Sequence, residues 1–143
     1  MIIRKWDFKD NIEIAELEKK FFPEPWNVKM LGDTYVSNTF LGFVAEEEGK
    51  IIGYIGSIYC LESGEIAMIA VDDSHRRQGL ATKLLNKLSV ELKLLGVNEI
   101  FLEVRRSNYG AQMCYVRNGY GMVAIRPEYY QGKEDALVMK KNI

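Results

Sequence analysis

The segment that decides the fold runs from residue 71 to residue 82 and reads Val71-Asp72-Asp73-Ser74-His75-Arg76-Arg77-Gln78-Gly79-Leu80-Ala81-Thr82. A β-rich run ends at Val71, a polar turn follows, and a helix begins near Gly79. The first N–H groups of a helix lack partners within it, and the helix dipole adds about half a positive charge, so anions are attracted there. Gly79 and Ala81 would let a phosphate approach the backbone closely. The segment therefore predicts a pyrophosphate bound at the start of a helix.

Two other phosphate-binding loops are excluded by the sequence. It contains no Gly-x-x-x-x-Gly-Lys-Ser/Thr motif, and no Gly-x-Gly-x-x-Gly motif follows the first predicted strand. The plain alternative for residues 76–79 is a glycine-containing helix start beside a solvated pair of arginines.

Outside this segment, the hydrophobic periodicity predicts strands and helices in the order β α α β β β α β α β β. The predicted strands cover residues 2–6, 40–45, 51–59, 65–71, 100–104, 120–126 and 135–140. The predicted helices cover 9–22, 27–36, 79–95 and 108–118, and a loop is expected from Pro127 to Glu134. A helix between the fourth and fifth strands implies a right-handed crossover and parallel neighbours, whereas the hairpins are antiparallel. We therefore expect an α/β (α+β) fold with a mixed sheet.

Two of the predicted helices have assignable inner faces. The first should turn Ile12, Ala15, Leu17, Phe21 and Phe22 inward. The third carries a leucine stripe, formed by Leu80, Leu84, Leu88, Leu92 and Leu95, and Gly96 is expected to end it.

Composition limits the classes of function. The 143 residues carry 19 basic and 20 acidic side chains, and 48% hydrophobic residues are enough for one domain spanning 1–143. A net charge of −1 argues against binding long stretches of nucleic acid. No apolar run approaches the roughly 20 residues that cross a bilayer, and the N-terminal residues do not resemble a signal peptide, so a cytoplasmic protein without a membrane partner is expected. Two separated cysteines, Cys60 and Cys114, and one histidine, His75, predict neither a metal site nor a redox pair.

Arg76-x-x-Gly79-x-Ala81 resembles the signature with which GNAT N-acetyltransferases bind the pyrophosphate of acetyl-CoA. Further matching segments place the resemblance with the RimI-type enzymes of that family; they are Ile69-Ala70-Val71, Leu102-Glu103-Val104-Arg105, Ser107-Asn108-x-x-Ala111, Tyr115, Gly119-Tyr120 and Tyr129-Tyr130. Such enzymes acetylate protein N termini, typically the N-terminal alanine of a small-subunit ribosomal protein. The resemblance covers nearly the whole chain. The sequence departs from the usual pattern at Ala81, Cys114, Tyr120 and the loop at residues 23–26.

The resemblance implies a central twisted sheet of about seven strands, mostly antiparallel, with about four helices and with the fourth and fifth strands splayed apart. It also implies acetyl-CoA as cosubstrate. The implied binding residues are Ile69, Ala70 and Val71 through their backbone, then Arg76, Arg77, Gln78, Gly79, Leu80, Ala81, Thr82 and Asn108. We expect Arg77 to act mainly through its backbone. Asn108 also suits a helix N-cap, and the two roles are compatible.

Amine acetylation needs a neutral amine, and at pH 7 deprotonation costs roughly 1.4 kcal/mol for an α-amino group and about 4–5 kcal/mol for a lysine. Glu103, at the end of the fifth strand, is the candidate general base, acting through a water. By resemblance, Tyr115 protonates the departing CoA thiolate. The alternatives are a solvated strand glutamate and a tyrosine that only packs its ring in the core.

On the acceptor side, the resemblance places Trp26 in one loop and Tyr129 and Tyr130 in another, flanking a peptide groove; ordinary loop packing is the alternative. The expected partner is a protein N terminus, from a ribosomal protein by resemblance, and the expected assembly is a monomer or weak homodimer. Two other functions stay open: a GNAT enzyme that acetylates a small amine or a lysine side chain, and a non-catalytic acyl-CoA sensor.

Overall fold

A seven-stranded sheet forms the centre of the computed structural model, which describes residues 1–76 and 78–143. The strands are β1 (Ile2–Lys5), β2 (Phe40–Glu47), β3 (Lys50–Cys60), β4 (Ser63–Val71), β5 (Glu99–Arg105), β6 (Gly121–Tyr130) and β7 (Glu134–Asn142). Their spatial order is β1-β2-β3-β4-β5-β7-β6. All neighbours are antiparallel except β4 and β5, which are parallel. The mixed, mostly antiparallel sheet predicted from the sequence is therefore confirmed.

Four α-helices accompany the sheet: α1 (Asn11–Phe21), α2 (Val28–Tyr35), α3 (Leu80–Leu94) and α4 (Tyr109–Arg117). Gly96 ends α3 with a φ of 91°, and Val97 N–H donates to the Leu92 carbonyl at 3.1 Å, which is the pattern of a Schellman cap. Within residues 1–76 and 78–143, no helix is both long enough and apolar enough to cross a membrane.

Neighbouring residues of the strands point to opposite faces of the sheet, and each face buries its own apolar cluster. Phe43 and Ile55 pack with the leucines of α3 on one face. Val44 and Tyr54 pack with α1 and α2 residues, including Ile14, on the other. The sheet therefore separates the side that carries α3 from the side that carries α1 and α2.

Strands β4 and β5 separate after a short paired segment, as the resemblance implied. They are paired only between residues 63–65 and 99–101. β5 continues beside β7 to Arg105, and β4 continues beside β3 to Val71. From Ile66 onward, β5 therefore no longer pairs with the edge of β4 that faces it. The two diverging strands enclose a cleft.

The inner faces of two helices were partly predicted wrongly. In α1, Ile12 and Phe22 are exposed, and the inward residues are Asn11, Ile14, Ala15 and Glu18. In α3, Leu95 is half exposed because the helix ends before it, and Leu85 completes the buried stripe. The error in α1 arises because the polar residues Asn11 and Glu18 find partners inside, which a count of apolar residues does not show.

The predicted loop from Pro127 to Glu134 is also wrong, because β6 continues to Tyr130. The register is irregular between Arg126 and Tyr130, where Glu128 adopts a φ of 51°, and pairing resumes between Tyr130 and Glu134. Pro127 is tolerated because β6 is an edge strand, where a missing N–H breaks no ladder bond on the open side. The hairpin turn is accordingly short.

Candidate active site

The open edge of β4 presents peptide groups to the cleft. Asp72 N–H donates to the Ile52 carbonyl of β3 at 2.8 Å. Peptide groups alternate in direction along an antiparallel strand, so those of Ala70 also face β3, whereas those of Ile69 and Val71 face away from it. The Val71 carbonyl lies 3.5 Å from Arg76 Nε, in agreement with this direction. Ile69 and Val71 therefore offer backbone donors and acceptors to an extended ligand.

The start of α3 lies next to this edge, and its first N–H groups have no partner among the described residues. Lys83 is the first residue whose N–H donates within the described helix, to the Gly79 carbonyl at 3.0 Å, so the N–H groups of Leu80, Ala81 and Thr82 precede the regular helical hydrogen bonds. No side chain caps the helix, and no acidic residue lies in its first turn, among the residues described. Gly79 has a φ of 73°, and no atom of the described chain lies within 4 Å of the position a Cβ would take. The geometry suits an anion that approaches the backbone.

Replacing Gly79 by Ala should lower the free energy of unfolding by about 1–2 kcal/mol, because an L-residue is strained at positive φ even where space is free. Urea denaturation measures the change. Gly110 is the matched control: it lies inside α4 with equally open surroundings, and Gly110→Ala should stabilise by about 0.5–1 kcal/mol. A Gly79→Ala variant as stable as the original protein would contradict the left-handed conformation.

The arginine pair contributes less to the described geometry. Arg76 is exposed and pairs with Asp73 at 3.0 Å, and Gln78 is exposed beside it. Arg77 lies outside the described residues, so its predicted role stays a prediction. His75 is partly buried and lies 3.0 Å from a carboxylate oxygen of Glu47.

Thr82 connects the start of α3 to the end of α4. Asn118 Nδ2 donates to Thr82 Oγ1 at 3.1 Å and to the Cys114 carbonyl at 2.8 Å. Since Oγ1 accepts this bond, the Thr82 hydroxyl hydrogen is left to donate elsewhere. Asn118 therefore ties the predicted phosphate site to the helix that carries Tyr115.

Glu103 lies on β5 beyond the segment that pairs with β4, and its carboxylate is ion-paired. Its side chain is 18% exposed, and Arg126 Nη1 donates to both carboxylate oxygens, at 2.9 and 3.1 Å. The strand-alternation alternative, a freely solvated glutamate, does not describe this side chain. Arg126 also stacks on Tyr129, with Cζ 4.1 Å from the ring centroid, so the ion pair is held against the β6–β7 hairpin.

Tyr115 is 8% exposed and packs its ring in the α3-side core. Burial is the main cause that raises the pKa of its phenol above the ordinary value of 10.0, and Cys114, Tyr120 and Tyr130 add to the shift. Burial also raises the pKa of Tyr130 to about 12, and the charge of Glu103 contributes there. Tyr130 thus contributes to the surroundings of both Glu103 and Tyr115. The joint catalytic role of these two residues stays a prediction.

Tyr129 and Tyr130 are the last residues of β6, not loop residues, and each is held by an arginine. Their rings meet edge-on with centroids 5.0 Å apart. Arg105 lies over Tyr130, with Cζ 4.2 Å from the ring centroid, and bonds Glu134 at 3.1 Å. The β6–β7 hairpin is therefore held by two arginine–tyrosine stacks, and Arg126 connects it to Glu103.

The 22–27 loop approaches the same β6–β7 hairpin. Glu24 lies 3.8 Å from Arg105, the arginine that stacks on Tyr130. Trp26 is half-buried, packs against the α1-side core, and donates its backbone N–H to Glu18 Oε1 at 3.1 Å. The structure thus brings Trp26 and Tyr130 to one side of the site, although the tryptophan ring is also core packing.

The corner between β5 and α4 is fixed by side-chain bonds. Asn108 caps α4 by accepting from Ala111 N–H at 3.2 Å, as predicted. Glu134 accepts from Ser107 N–H at 2.8 Å, and Asp135 accepts from Arg106 at 2.9 Å and from Glu128 N–H at 3.0 Å. Glu134 and Asp135 are therefore engaged in holding this corner.

Sequence reasoning missed Arg105, Arg126 and Asn118 as residues of the site, and it missed Glu18, which is buried and bonds the Trp26 backbone. Arg105 had a signal, because it follows Glu103 by two residues and so shares its face of β5. No local sequence pattern indicates Arg126 or Asn118, because their partners lie on elements distant in sequence.

Comparison with known proteins agrees with this geometry. Residues 11–120 match the sequence profile of the Acetyltransferase (GNAT) family. An uncharacterized N-acetyltransferase of Methanocaldococcus jannaschii is 34% identical over 142 residues, covering 99% of this chain and 91% of that protein. The [ribosomal protein bS18]-alanine N-acetyltransferase of Escherichia coli is 35% identical over 129 residues, covering 86% of this chain and 84% of that enzyme.

Solved structures extend the comparison. The crystal structure of the Escherichia coli ribosomal-protein-S18-alanine N-acetyltransferase aligns with a TM-score of 0.91 at 31% identity, covering 99% of this chain and 93% of that one. An aminoglycoside 6'-N-acetyltransferase complexed with coenzyme A aligns with a TM-score of 0.87 at 18% identity, covering 99% and 97%, which shows a shared fold. The chain belongs to the GNAT family of acetyltransferases and is an N-acetyltransferase.

Proposed function

We propose that this enzyme is an acetyl-CoA-dependent N-α-acetyltransferase that acts on a protein N terminus, with the N-terminal alanine of a small-subunit ribosomal protein as acceptor. One observation carries the proposal: β4 and β5 diverge to leave a cleft beside the strand that bears Glu103, in a chain 35% identical to the Escherichia coli [ribosomal protein bS18]-alanine N-acetyltransferase. The aromatic residues expected to flank the acceptor, Trp26 and the two tyrosines of the β6–β7 hairpin, also support the proposal.

Acetyl-CoA would lie with its pyrophosphate at the start of α3 and its extended arm along β4. The N–H groups of Leu80, Ala81 and Thr82 suit the phosphates. Ile69 and Val71 suit the amide groups of the arm, and Asn108 lies at the start of α4 for a further contact. The donor supplies the thioester that the amine attacks.

The reaction would be direct transfer in a ternary complex. Glu103 accepts the amine proton through a water, and Arg126 holds the carboxylate in place. A backbone N–H at the open edge of β4 polarises the thioester carbonyl. Tyr115 donates its proton to the departing sulfur, and its buried phenol remains protonated at neutral pH.

An α-amino acceptor suits this site better than a lysine on energetic grounds. Deprotonation at pH 7 costs about 1.4 kcal/mol for the former and about 4–5 kcal/mol for the latter. The proposed base is a single partly exposed carboxylate that is already paired with Arg126. The smaller cost of deprotonating an α-amino group suits such a base better than the larger cost for a lysine.

The test is acetyl transfer from acetyl-CoA to a panel of acceptors, followed by mass spectrometry that locates the acetyl group. The panel contains free peptides that differ only in the first residue, N-blocked lysine peptides, polyamines and an aminoglycoside. We expect the α-amino group of the alanine peptide to be acetylated most efficiently. Transfer only to lysine side chains or small amines would overturn the proposal, and CoA binding without transfer to any acceptor would favour the sensor.

A further inference from the structure

Glu18 is a buried carboxylate for which the proposed chemistry has no use. It lies on α1 and is 2% exposed. The other acid that is buried to this degree among the described residues, Asp10, bonds the guanidinium of Arg4 at 2.8 and 2.9 Å. Across residues 1–76 and 78–143, no cation pairs with Glu18. Burying a charge without a cation is costly, so its location needs an explanation.

Both oxygens of Glu18 accept hydrogen bonds. Oε1 accepts the backbone N–H of Trp26 at 3.1 Å. Oε2 accepts the hydroxyl of Tyr54, which is fully buried on β3. Burial raises the pKa of the Glu18 carboxyl, and these two bonds offset part of the rise.

The two donors lie on different elements: Trp26 in the 22–27 loop and Tyr54 on β3. Trp26 lies in the acceptor loop, residues 22–27, whose Glu24 approaches Arg105 beside the β6–β7 hairpin. Tyr54 pairs in register with Ala70 of β4, between the two residues that offer peptide groups to the cleft. The carboxylate therefore joins the acceptor loop to β3, the strand that pairs with β4 at residues 69–71.

The loop has few other internal anchors. Pro23 and Pro25 carry no N–H, so they cannot tie the backbone down by donation. On the outer side, Glu24 reaches Arg105 only at 3.8 Å, and Asn27 begins α2 by accepting from Met30 N–H at 2.9 Å. The bond from Trp26 to Glu18 therefore holds the loop from the inner side, together with the packing of the Trp26 ring.

We propose that Glu18 is a positioning residue that holds the Trp26 loop at a fixed distance from β4 and so sets the affinity for the acceptor peptide. The inference rests on the proposed function. Glu18 is enclosed and touches neither substrate, so it acts through Trp26 and Tyr54. Loss of the carboxylate should loosen acceptor binding and leave acetyl-CoA binding in place.

The test compares Glu18→Leu and Glu18→Gln with a control on the same helix. Glu13 Oε2 accepts Ile51 N–H at 2.8 Å, so Glu13→Leu removes a similar carboxylate-to-backbone bond that does not involve the acceptor loop. We expect Glu18→Leu to raise the peptide KM about tenfold with the acetyl-CoA KM within about twofold. Glu18→Gln retains an acceptor oxygen for Trp26 N–H and should recover most of the peptide affinity, and Glu13→Leu should leave both KM values unchanged.

A second measurement reports on the loop without any turnover. Hydrogen exchange at the Trp26 amide should become faster in Glu18→Leu and stay slow in Glu13→Leu. An unchanged peptide KM in folded Glu18→Leu, or equal increases in both KM values, would overturn the positioning role. Failure of the original enzyme to acetylate any peptide would instead overturn the proposed function, so the two failures are distinguishable.

Discussion

Glu103→Gln is expected to lower kcat by about 10²–10³-fold, because the amide cannot accept the amine proton. The geometry should survive, since a glutamine oxygen can still accept from Arg126, and the affinity for CoA should stay unchanged. The residual activity should rise with pH up to about 8, where an α-amino group deprotonates without help. Steady-state kinetics from pH 6 to 9, together with calorimetry of CoA binding, would measure both effects.

Glu99→Gln is the matched control for this variant. Glu99 lies on the same face of β5 as Glu103, and it bonds Ser63 and Lys140 at the far end of the strand. We expect its kcat to match that of the original enzyme. Full activity in Glu103→Gln would refute the role of Glu103 as base.

Tyr115→Phe is expected to lower kcat by about tenfold to a hundredfold, because the departing thiolate loses its proton donor. Since the pKa of Tyr115 is raised, its phenol should remain protonated where a solvated tyrosine ionises, so the original enzyme should lose no activity through this group up to about pH 10. The pH dependence of kcat measures this in both proteins.

Tyr120→Phe provides the comparison for Tyr115→Phe. The two rings contact each other with centroids 6.1 Å apart, and burial raises the pKa of both phenols. Removing the Tyr120 hydroxyl should therefore test burial without removing the proton donor, and kcat should be retained. Equal losses in the two variants would mean that packing, and not proton donation, explains the effect.

The features that sequence alone predicted are those that depend on local chemistry or on connection. Gly79 and Gly96 mark the two ends of α3 because each position has a positive φ that glycine adopts freely. Asn108 caps α4 through residues three positions away. The parallel pairing of β4 and β5 follows from the helix that connects them.

The remaining features depend on which elements meet. Arg126 reaches Glu103 because β7, the last strand in sequence, lies between β5 and β6, and no local pattern contains that order. Glu18 looks like a surface residue in a helix with many charges, and only the arrival of Tyr54 and Trp26 makes its burial possible. Pro127 looks like the end of a strand until β6 is known to be an edge.

The divergence of β4 and β5 also limits what can pair with the free edge of β4. An unpaired strand edge is a template for pairing with the strand of another molecule, and such edges promote aggregation. Here the free edge of β4 lies inside the angle between two strands of one sheet, where a neighbouring β-sheet would have to enter against β5. A narrow, extended small-molecule ligand does not meet this obstacle. The enzyme can therefore keep backbone groups available for a small ligand without offering them to a second protein.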